Sequence, residues 1–299
     1  MILDWDDIAE RLYLIRATEK AIAERYKEGN MRTPTHLSIG QESAAVGVCM
    51  ALPEHSQVFS NHRCHAHYLA QGGDLDGLIA ELYGKATGCA GGWGGSMHLV
   101  DERVGFMGTS AIVGSSVSVA VGSSMAMKHD GNGQVVCAFM GDAAIETGQV
   151  YESLHLSGFW ELPILFVMED NGLATQTTIQ QRQRNPDNWG SLVNLLGITS
   201  FDIGHTVEEV YETTKTALTQ LPAFIRIKTQ RWHTHVGPEF DWELGLTQHR
   251  SEGYLADYHE TDEVAKALSL SSTSDAIICE CDDRVNGAFT KAELAEWPK

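Results

Sequence analysis

The chain has few positive charges. Its 21 Lys and Arg residues stand against 40 Asp and Glu, which gives a formal net charge of −19 over 299 residues. We therefore expect neither a nucleic-acid nor an anionic-membrane partner, because both attract basic surfaces. Long apolar runs are also missing, so no segment is predicted to cross a bilayer. The negative net charge does not exclude an anionic cofactor, because a local arginine or a metal can outweigh it.

Closely spaced cysteines are scarce as well. Of six cysteines only Cys279 and Cys281 are near neighbours, and no second pair completes a zinc site. Reduced thiols and an acidic start, which is unlike a signal peptide, predict a cytoplasmic protein. No Pro- or Ser-rich linker, charge block or repeat divides the sequence. We therefore predict one domain over residues 1–299, with helical extensions at both ends.

Apolar runs alternate with helical patterns along the second half of the chain. Strands are predicted at 164–168, 200–203 and 223–229, and helices at 147–160 and 207–221. Strands and helices that alternate at this spacing indicate an α/β fold. We predict a doubly wound parallel sheet covered by helices on both faces.

Two polar side chains follow neighbouring predicted strands. Met140, Gly141 and Asp142 follow the strand-like run 134–139, and Asn171 ends the run 163–171. Parallel strands joined by a helix place both side chains at one edge of the sheet, where open α/β sheets bind ligands. Carboxylate and amide oxygens suit Mg²⁺ that also takes phosphate oxygens. The alternative for Asp142 is a helix N-cap.

These residues carry a family resemblance. Gly141-Asp142-Ala143 followed by Asn171 is similar to the thiamine-diphosphate signature, Gly-Asp-Gly followed by Asn. The wider chain resembles the α subunit of the heterotetrameric 2-oxo acid dehydrogenase E1 component, through motifs at 36–42, 62–67, 83–89, 94–98, 111–114 and 231–235. The resemblance implies the thiamine-diphosphate-binding fold, with thiamine diphosphate and Mg²⁺ as cofactors.

The resemblance also implies a set of site residues. The metal ligands would be Asp142, Asn171 and the main-chain carbonyl of Leu173. The active-site histidine would be His235, with His233 as a weaker candidate. The cofactor contacts would come from His62, Arg63, Ala111, Val113, Gly141, Asp142, Ala143, Ala144, Asn171 and His235. Ile112 would support the aminopyrimidine from a buried position.

Three positions leave alternatives open. His62 stands where many relatives have Tyr, and Ala143 replaces the last glycine of the signature. His62, His65 and His67 are spaced closely enough to raise a zinc site, although a fourth ligand is not evident. Gly114, Ser118 and Gly122 recur every four residues, which suits either internal packing or a subunit contact.

The resemblance implies that another chain supplies half of the active site. In the family, the glutamate at the aminopyrimidine comes from the β subunit, and no carboxylate of this sequence matches it. This implies an α2β2 heterotetramer with a β-type E1 subunit, and little activity of the chain alone. The implied reaction is decarboxylation of a small 2-oxo acid such as pyruvate, with acyl transfer to a lipoyl domain.

The segment after His235 leaves the acyl acceptor open. Residues 236–245 lack the serine and the Tyr-Arg pair of dehydrogenase α subunits, and resemble α-type subunits of surface-sugar or secondary-metabolite pathways. The alternative function is a split transketolase or an acyl transferase that forms a carbon–carbon bond on a sugar or metabolite. A silent scaffold is disfavoured by the intact motifs, and a nicotinamide-binding fold by the lack of Gly-x-Gly-x-x-Gly.

Overall fold

A parallel sheet organises the chain. The computed structural model describes residues 3–31, 33–131, 133–246 and 260–299. Its strands are β1 Gln57–Ser60, β2 Phe106–Thr109, β3 Val136–Gly141, β4 Ile164–Asp170, β5 Leu173–Ala174, β6 Thr177–Thr178, β7 Thr199–Ile203 and β8 Ala223–Lys228. Six strands form one sheet in the order β2-β1-β3-β4-β8-β7, with all neighbours parallel. β5 and β6 form a separate antiparallel hairpin.

Helices lie on both faces of this sheet. They are α1 Trp5–Tyr26, α2 Glu42–Ala51, α3 His65–Ala70, α4 Leu75–Leu82, α5 Ser115–Asp130, α6 Gly148–Phe159, α7 Ile179–Arg182, α8 Trp189–Leu195, α9 Val207–Leu218, α10 Glu263–Leu270 and α11 Ser274–Leu294. Successive strand residues point to opposite faces. Phe139 and Val167 accordingly join one buried cluster, whereas Met140 and Phe166 join another. The predicted fold class is confirmed.

The terminal helices pack together on one face. α1 contacts both α10 and α11, and all three contribute to the larger buried cluster. Arg16 of α1 links this layer, because its guanidinium bonds Glu42 at 2.5 Å and Asp262 at 3.0 Å. Such a buried arginine needs these partners, because an unpaired charge there would be costly. The single-domain organisation of residues 1–299 stays a prediction.

Helix α5 bears on the two alternatives for its small residues, internal packing and a subunit contact. Gly114, which precedes it, has φ +85°, and a Cβ there would lie 2.6 Å from Thr147 Oγ1, so glycine is required. A Cβ at Gly122 would meet no atom within 4 Å. Within the described residues no backbone packs against Gly122, so internal packing does not explain it. No helix of that described part is both long and apolar enough to span a membrane.

Candidate functional site

The predicted site residues meet in a cavity at the carboxyl edge of the sheet. β1, β3 and β4 end there, and the residues that follow them turn into it. The cavity is lined by the predicted residues His62, Arg63, Val113, Gly141, Asp142, Ala143, Ala144, Asn171, Leu173 and His235. The expectation that two strand ends bring Asp142 and Asn171 together is therefore confirmed by their shared place in this lining.

Asp142 is a buried carboxylate held by an arginine that the sequence did not reveal. Arg182, at the end of α7, donates from Nη2 to Asp142 Oδ2 at 2.5 Å and also pairs with Glu146. Burial and the nearby Asp170 raise the pKa of Asp142 to about 6, and Arg182 opposes that shift. A carboxylate in this environment is stabilised by a positive partner, and in this structure that partner is Arg182.

Asn171 is fixed by two neighbours. Its Oδ1 accepts a hydrogen bond from the Leu173 N–H at 3.2 Å, and its Nδ2 donates to Gln41 Oε1 at 3.3 Å. A Cβ at Gly141 would meet no atom within 4 Å, which leaves open space at the end of β3. Oxygen ligands beside an open glycine suit a metal-bound diphosphate.

Arg63 connects three loops at the cavity wall through hydrogen bonds. Its Nη1 donates to the Leu37 carbonyl at 2.5 Å, and its Nη2 donates to the His235 carbonyl at 3.1 Å. The side chain is largely buried yet lines the cavity. A guanidinium fixed in this way can bind phosphate oxygens without losing further conformational freedom.

Three histidines cluster at one end of the cavity. The rings of His36, His62 and His235 lie 4.6 to 5.4 Å apart between centroids. Burial first, and then the charge of Arg63, lower the pKa of His36 to about 2, of His62 to about 4 and of His235 to about 3. All three rings are therefore neutral near pH 7.

The charge around the cluster favours an anion. One ring nitrogen from each of His36, His62 and His235 lies within 4.8 Å of the others, a spacing at which the three could share a metal ion. The guanidinium nitrogens of Arg63 and Arg231, however, lie 3.4 and 3.5 Å from His235 Nδ1. Two adjacent cations disfavour a metal ion and favour a carboxylate or phosphate.

This cluster predicts an acid-sensitive fold. The pKa of His62 falls from 6.5 to about 4 on folding, so below pH 6.5 the unfolded chain binds more protons than the folded chain. Stability should decrease between pH 7 and pH 5. We expect His62→Tyr to show a smaller decrease in urea midpoint over this range. The matched control is His129→Gln, because the exposed ring of His129 is solvated in both the folded and the unfolded chain. An equal decrease in His62→Tyr and wild type would contradict the prediction.

Two predicted residues lie outside the cavity lining. His233 Nδ1 is 2.7 Å from the Pro238 carbonyl, and its ring stacks on Phe240 at 4.5 Å. Ala111 is exposed and does not line the cavity. Ile112 was expected to be buried, and this was wrong, because its side chain is 70% exposed. The chain is exposed over residues 111–113, before Gly114 and the first residue of α5, Ser115.

The other two histidines of the 62–67 run have buried hydrogen-bonding positions. His65 Nε2 lies 2.9 Å from Ser96 Oγ, and His67 Nδ1 lies 2.8 Å from Ser60 Oγ. They do not join His62 in a zinc-like set, because His62 faces His36 and His235 instead. His67 Nε2 also lies 3.3 Å from Glu169, a second carboxylate in the cavity lining.

Two known proteins are similar to this chain over most of its length. The α subunit of acetoin:2,6-dichlorophenolindophenol oxidoreductase from Bacillus subtilis (strain 168) is 34% identical over 97% of this chain and 89% of its own length. The α subunit of the pyruvate dehydrogenase E1 component from Rhizobium meliloti (strain 1021) is 31% identical over 96% of this chain and 79% of its own.

A solved structure shows the same fold. Transketolase from Leishmania mexicana matches with a TM-score of 0.60 and 13% identity, over 97% of this chain. The chain spans about half of the transketolase, 49% of its length. The family model described as dehydrogenase E1 component matches residues 10–237. The chain thus belongs to the dehydrogenase E1 component family of thiamine-diphosphate-dependent enzymes.

Proposed function

We propose that this chain is the α subunit of a two-component enzyme that decarboxylates a small, pyruvate-like 2-oxo acid and transfers the acyl group. The observation that carries the proposal is the shared cavity of Asp142, Asn171 and Arg63. The Rhizobium meliloti relative belongs to a pyruvate dehydrogenase, which supports a 2-oxo acid as substrate. The Bacillus subtilis relative is named for acetoin, a hydroxy ketone, and supports the oxidoreductase class rather than this substrate.

Mg²⁺ would be held by oxygens of this chain. The donors are the Asp142 carboxylate, the Asn171 side-chain carbonyl and the Leu173 main-chain carbonyl. Asp142 is buried and pairs with the guanidinium of Arg182, which fits a position that stabilises positive charge. Asn171 already points its Oδ1 toward the Leu173 N–H, which orders the turn that contains both donors.

The remaining residues would bind the cofactor and orient the substrate. Thiamine diphosphate supplies the carbon nucleophile when bound. Arg63 would hold its diphosphate together with the N–H groups of Ala143 and Ala144, and Val113 would contact the aminopyrimidine through its main chain. The same role for Ala111, which is exposed outside the cavity lining, rests on the family resemblance alone. We assign His235 to the substrate carboxylate. A neutral imidazole near two guanidiniums can donate a hydrogen bond to it in a field that favours anions.

The exposed apolar surface supports a β-type partner in an α2β2 assembly. Beside the cavity mouth, the side chain of Val113 is 43% and that of Ile112 70% exposed, and Val119 on α5 and Phe159 on α6 are 60% and 73% exposed. A covering subunit would remove such apolar side chains from water. We place the aminopyrimidine glutamate on that partner.

Reconstitution tests this function. We expect the purified chain to have little decarboxylase activity with pyruvate, thiamine diphosphate and Mg²⁺, and to gain activity when its β-type partner is added. Reduction of a dye measures turnover without an acyl acceptor. Equal activity with and without the partner would contradict the α-subunit proposal. Lipoyl domain and sugar acceptors, compared in the complete complex, then separate dehydrogenase from transferase function.

A further inference from the structure

Gln41 is a buried residue of the cavity wall to which the sequence assigned no role. It is 2% exposed and lines the cavity at the N-terminal end of α2. Its Oε1 accepts a hydrogen bond from Asn171 Nδ2 at 3.3 Å. Its Nε2, in contrast, has no hydrogen-bond partner among the described residues and is not one of their enclosed polar atoms. The two N–H groups of this amide are therefore open to the cavity.

The orientation of the Gln41 amide follows from a backbone donor. The N–H of Leu173 can only donate, and it bonds the Oδ1 end of Asn171 at 3.2 Å. The other end of the Asn171 side chain is therefore its NH₂ group, which needs an acceptor, and Gln41 supplies Oε1. Because the two polar atoms of an amide lie on opposite sides of its carbon, Nε2 of Gln41 faces away from Asn171.

Close packing of the backbone holds Gln41 in place. Gly40 has φ +94°, and a Cβ there would lie 2.1 Å from the carbonyl oxygen of Gln230, so this loop runs directly against the segment that follows β8. The N–H of Trp232 also donates to the Ile39 carbonyl at 3.1 Å. A donor on such a fixed loop can bind a ligand with little further loss of conformational freedom.

The residues around Gln41 indicate an anionic ligand. Asn171 is a proposed Mg²⁺ ligand, and Arg63, in the same cavity lining, donates to the Leu37 carbonyl of the loop that leads to Gln41. A diphosphate bound by a metal ion and a guanidinium has further oxygens that need donors, and an amide NH₂ group supplies two N–H groups. As a neutral donor it would repel neither cation.

We propose that Gln41 is a further cofactor-binding residue, whose Nε2 donates to an oxygen of the diphosphate while its Oε1 holds Asn171 in the orientation that suits the metal. This inference rests on the proposed function, since it requires thiamine diphosphate in this cavity. One amide would then serve both the phosphate and the metal ligand beside it.

Two substitutions separate the donor from the acceptor. Gln41→Glu keeps an acceptor for Asn171 and replaces the NH₂ group with a negatively charged oxygen, whereas Gln41→Met removes both. Calorimetric titration of thiamine diphosphate at fixed Mg²⁺ and pH 8, about four pH units above the ordinary pKa of a glutamate, measures affinity in the complex with the β-type partner. We expect Gln41→Met to bind about tenfold more weakly than wild type, as the loss of one charged hydrogen bond predicts. Gln41→Glu should bind about tenfold more weakly again, because the carboxylate repels the diphosphate.

The order of the two variants decides between the donor and a purely structural role. If Gln41 only holds Asn171, Gln41→Glu would bind as tightly as wild type and Gln41→Met alone would lose affinity, which would overturn the proposal. Inorganic diphosphate with Mg²⁺, which lacks both rings of the cofactor, should show the same order. A loss confined to thiamine diphosphate would overturn the assignment to phosphate.

The matched control is Gln220→Glu. It introduces the same charge at an exposed position before β8, at the opposite edge of the sheet from the cavity, and should leave affinity unchanged. Circular dichroism checks that each variant is folded. If Gln41→Met unfolds, Gln41→Glu still decides, because wild-type affinity in that variant contradicts the donor. Absence of cofactor binding by wild type would overturn the proposed function and this inference together, whereas wild-type binding with unchanged variants would overturn this inference alone.

Discussion

Asp142→Asn is expected to weaken Mg²⁺-dependent binding of thiamine diphosphate by about a hundredfold or more, since even residues that only support metal ligands cost 10–100-fold when they are replaced. The amide keeps the size of the carboxylate and removes its charge. Asp142 is buried beside the open end of β3. The other carboxylate of the cavity lining, Glu169, lies 3.3 Å from His67 Nε2 and is held by that contact. Calorimetric titration of the cofactor, at fixed Mg²⁺, measures the loss.

The matched control is Asp187→Asn. Asp187 has the same charge and chemistry, but its side chain is 85% exposed and lies 3.5 Å from Arg226. Cofactor affinity should be unchanged in this variant. Equal affinity in Asp142→Asn and wild type would show that Asp142 serves only as the partner of Arg182. The metal assignment would then be wrong.

Local sequence pattern was sufficient to place Asp142 and Asn171 together. Both follow short apolar runs, and the runs are joined by a segment with helical periodicity. The carboxyl ends of adjacent parallel strands share one edge of the sheet. The structure has this arrangement, since β3 and β4 pair in parallel from Val136↔Ile164 to Gly141↔Glu169. The residues at the strand ends therefore follow from the fold class alone.

Contacts between distant loops could not be predicted in this way. Arg182 meets Asp142 across 40 residues, and His36 meets His62 and His235 from three separate loops. No periodicity relates such positions, because loop paths depend on packing over the whole chain. His36 lay within a family-like motif, but that motif gave it no role.

The sequence also could not predict which apolar residues are exposed. Ile112 and Val113 belong to an apolar run that resembles buried chain, yet their side chains are exposed beside the cavity. A hydrophobic pattern indicates that a surface avoids water. It does not distinguish a core from a surface that another subunit covers.

Glu81→Gln is expected to destabilise the protein by about 3–5 kcal/mol, the cost typical of removing one partner from a buried charged network. Glu81 is fully buried on α4, and its two oxygens accept four backbone N–H groups from the glycine-rich loop. These donors belong to Ala90, Gly92, Gly94 and Gly95, at 2.6 to 3.0 Å. An amide NH₂ group in place of one carboxylate oxygen would face the backbone N–H groups, so that donors would meet donors without an acceptor. Urea denaturation monitored by circular dichroism measures the change.

The glycines explain why this carboxylate cannot be replaced easily. Gly92 and Gly95 have positive φ, and a Cβ at Gly88 would lie 2.3 Å from a Glu81 oxygen, so the loop backbone wraps closely around the carboxylate. The matched control is Glu102→Gln, an exposed glutamate whose change should cost less than about 0.5 kcal/mol. A comparably small loss in Glu81→Gln would mean that water satisfies these donors. The glycine-rich loop would then be held by Thr33 and His65 through Ser96 rather than by the carboxylate.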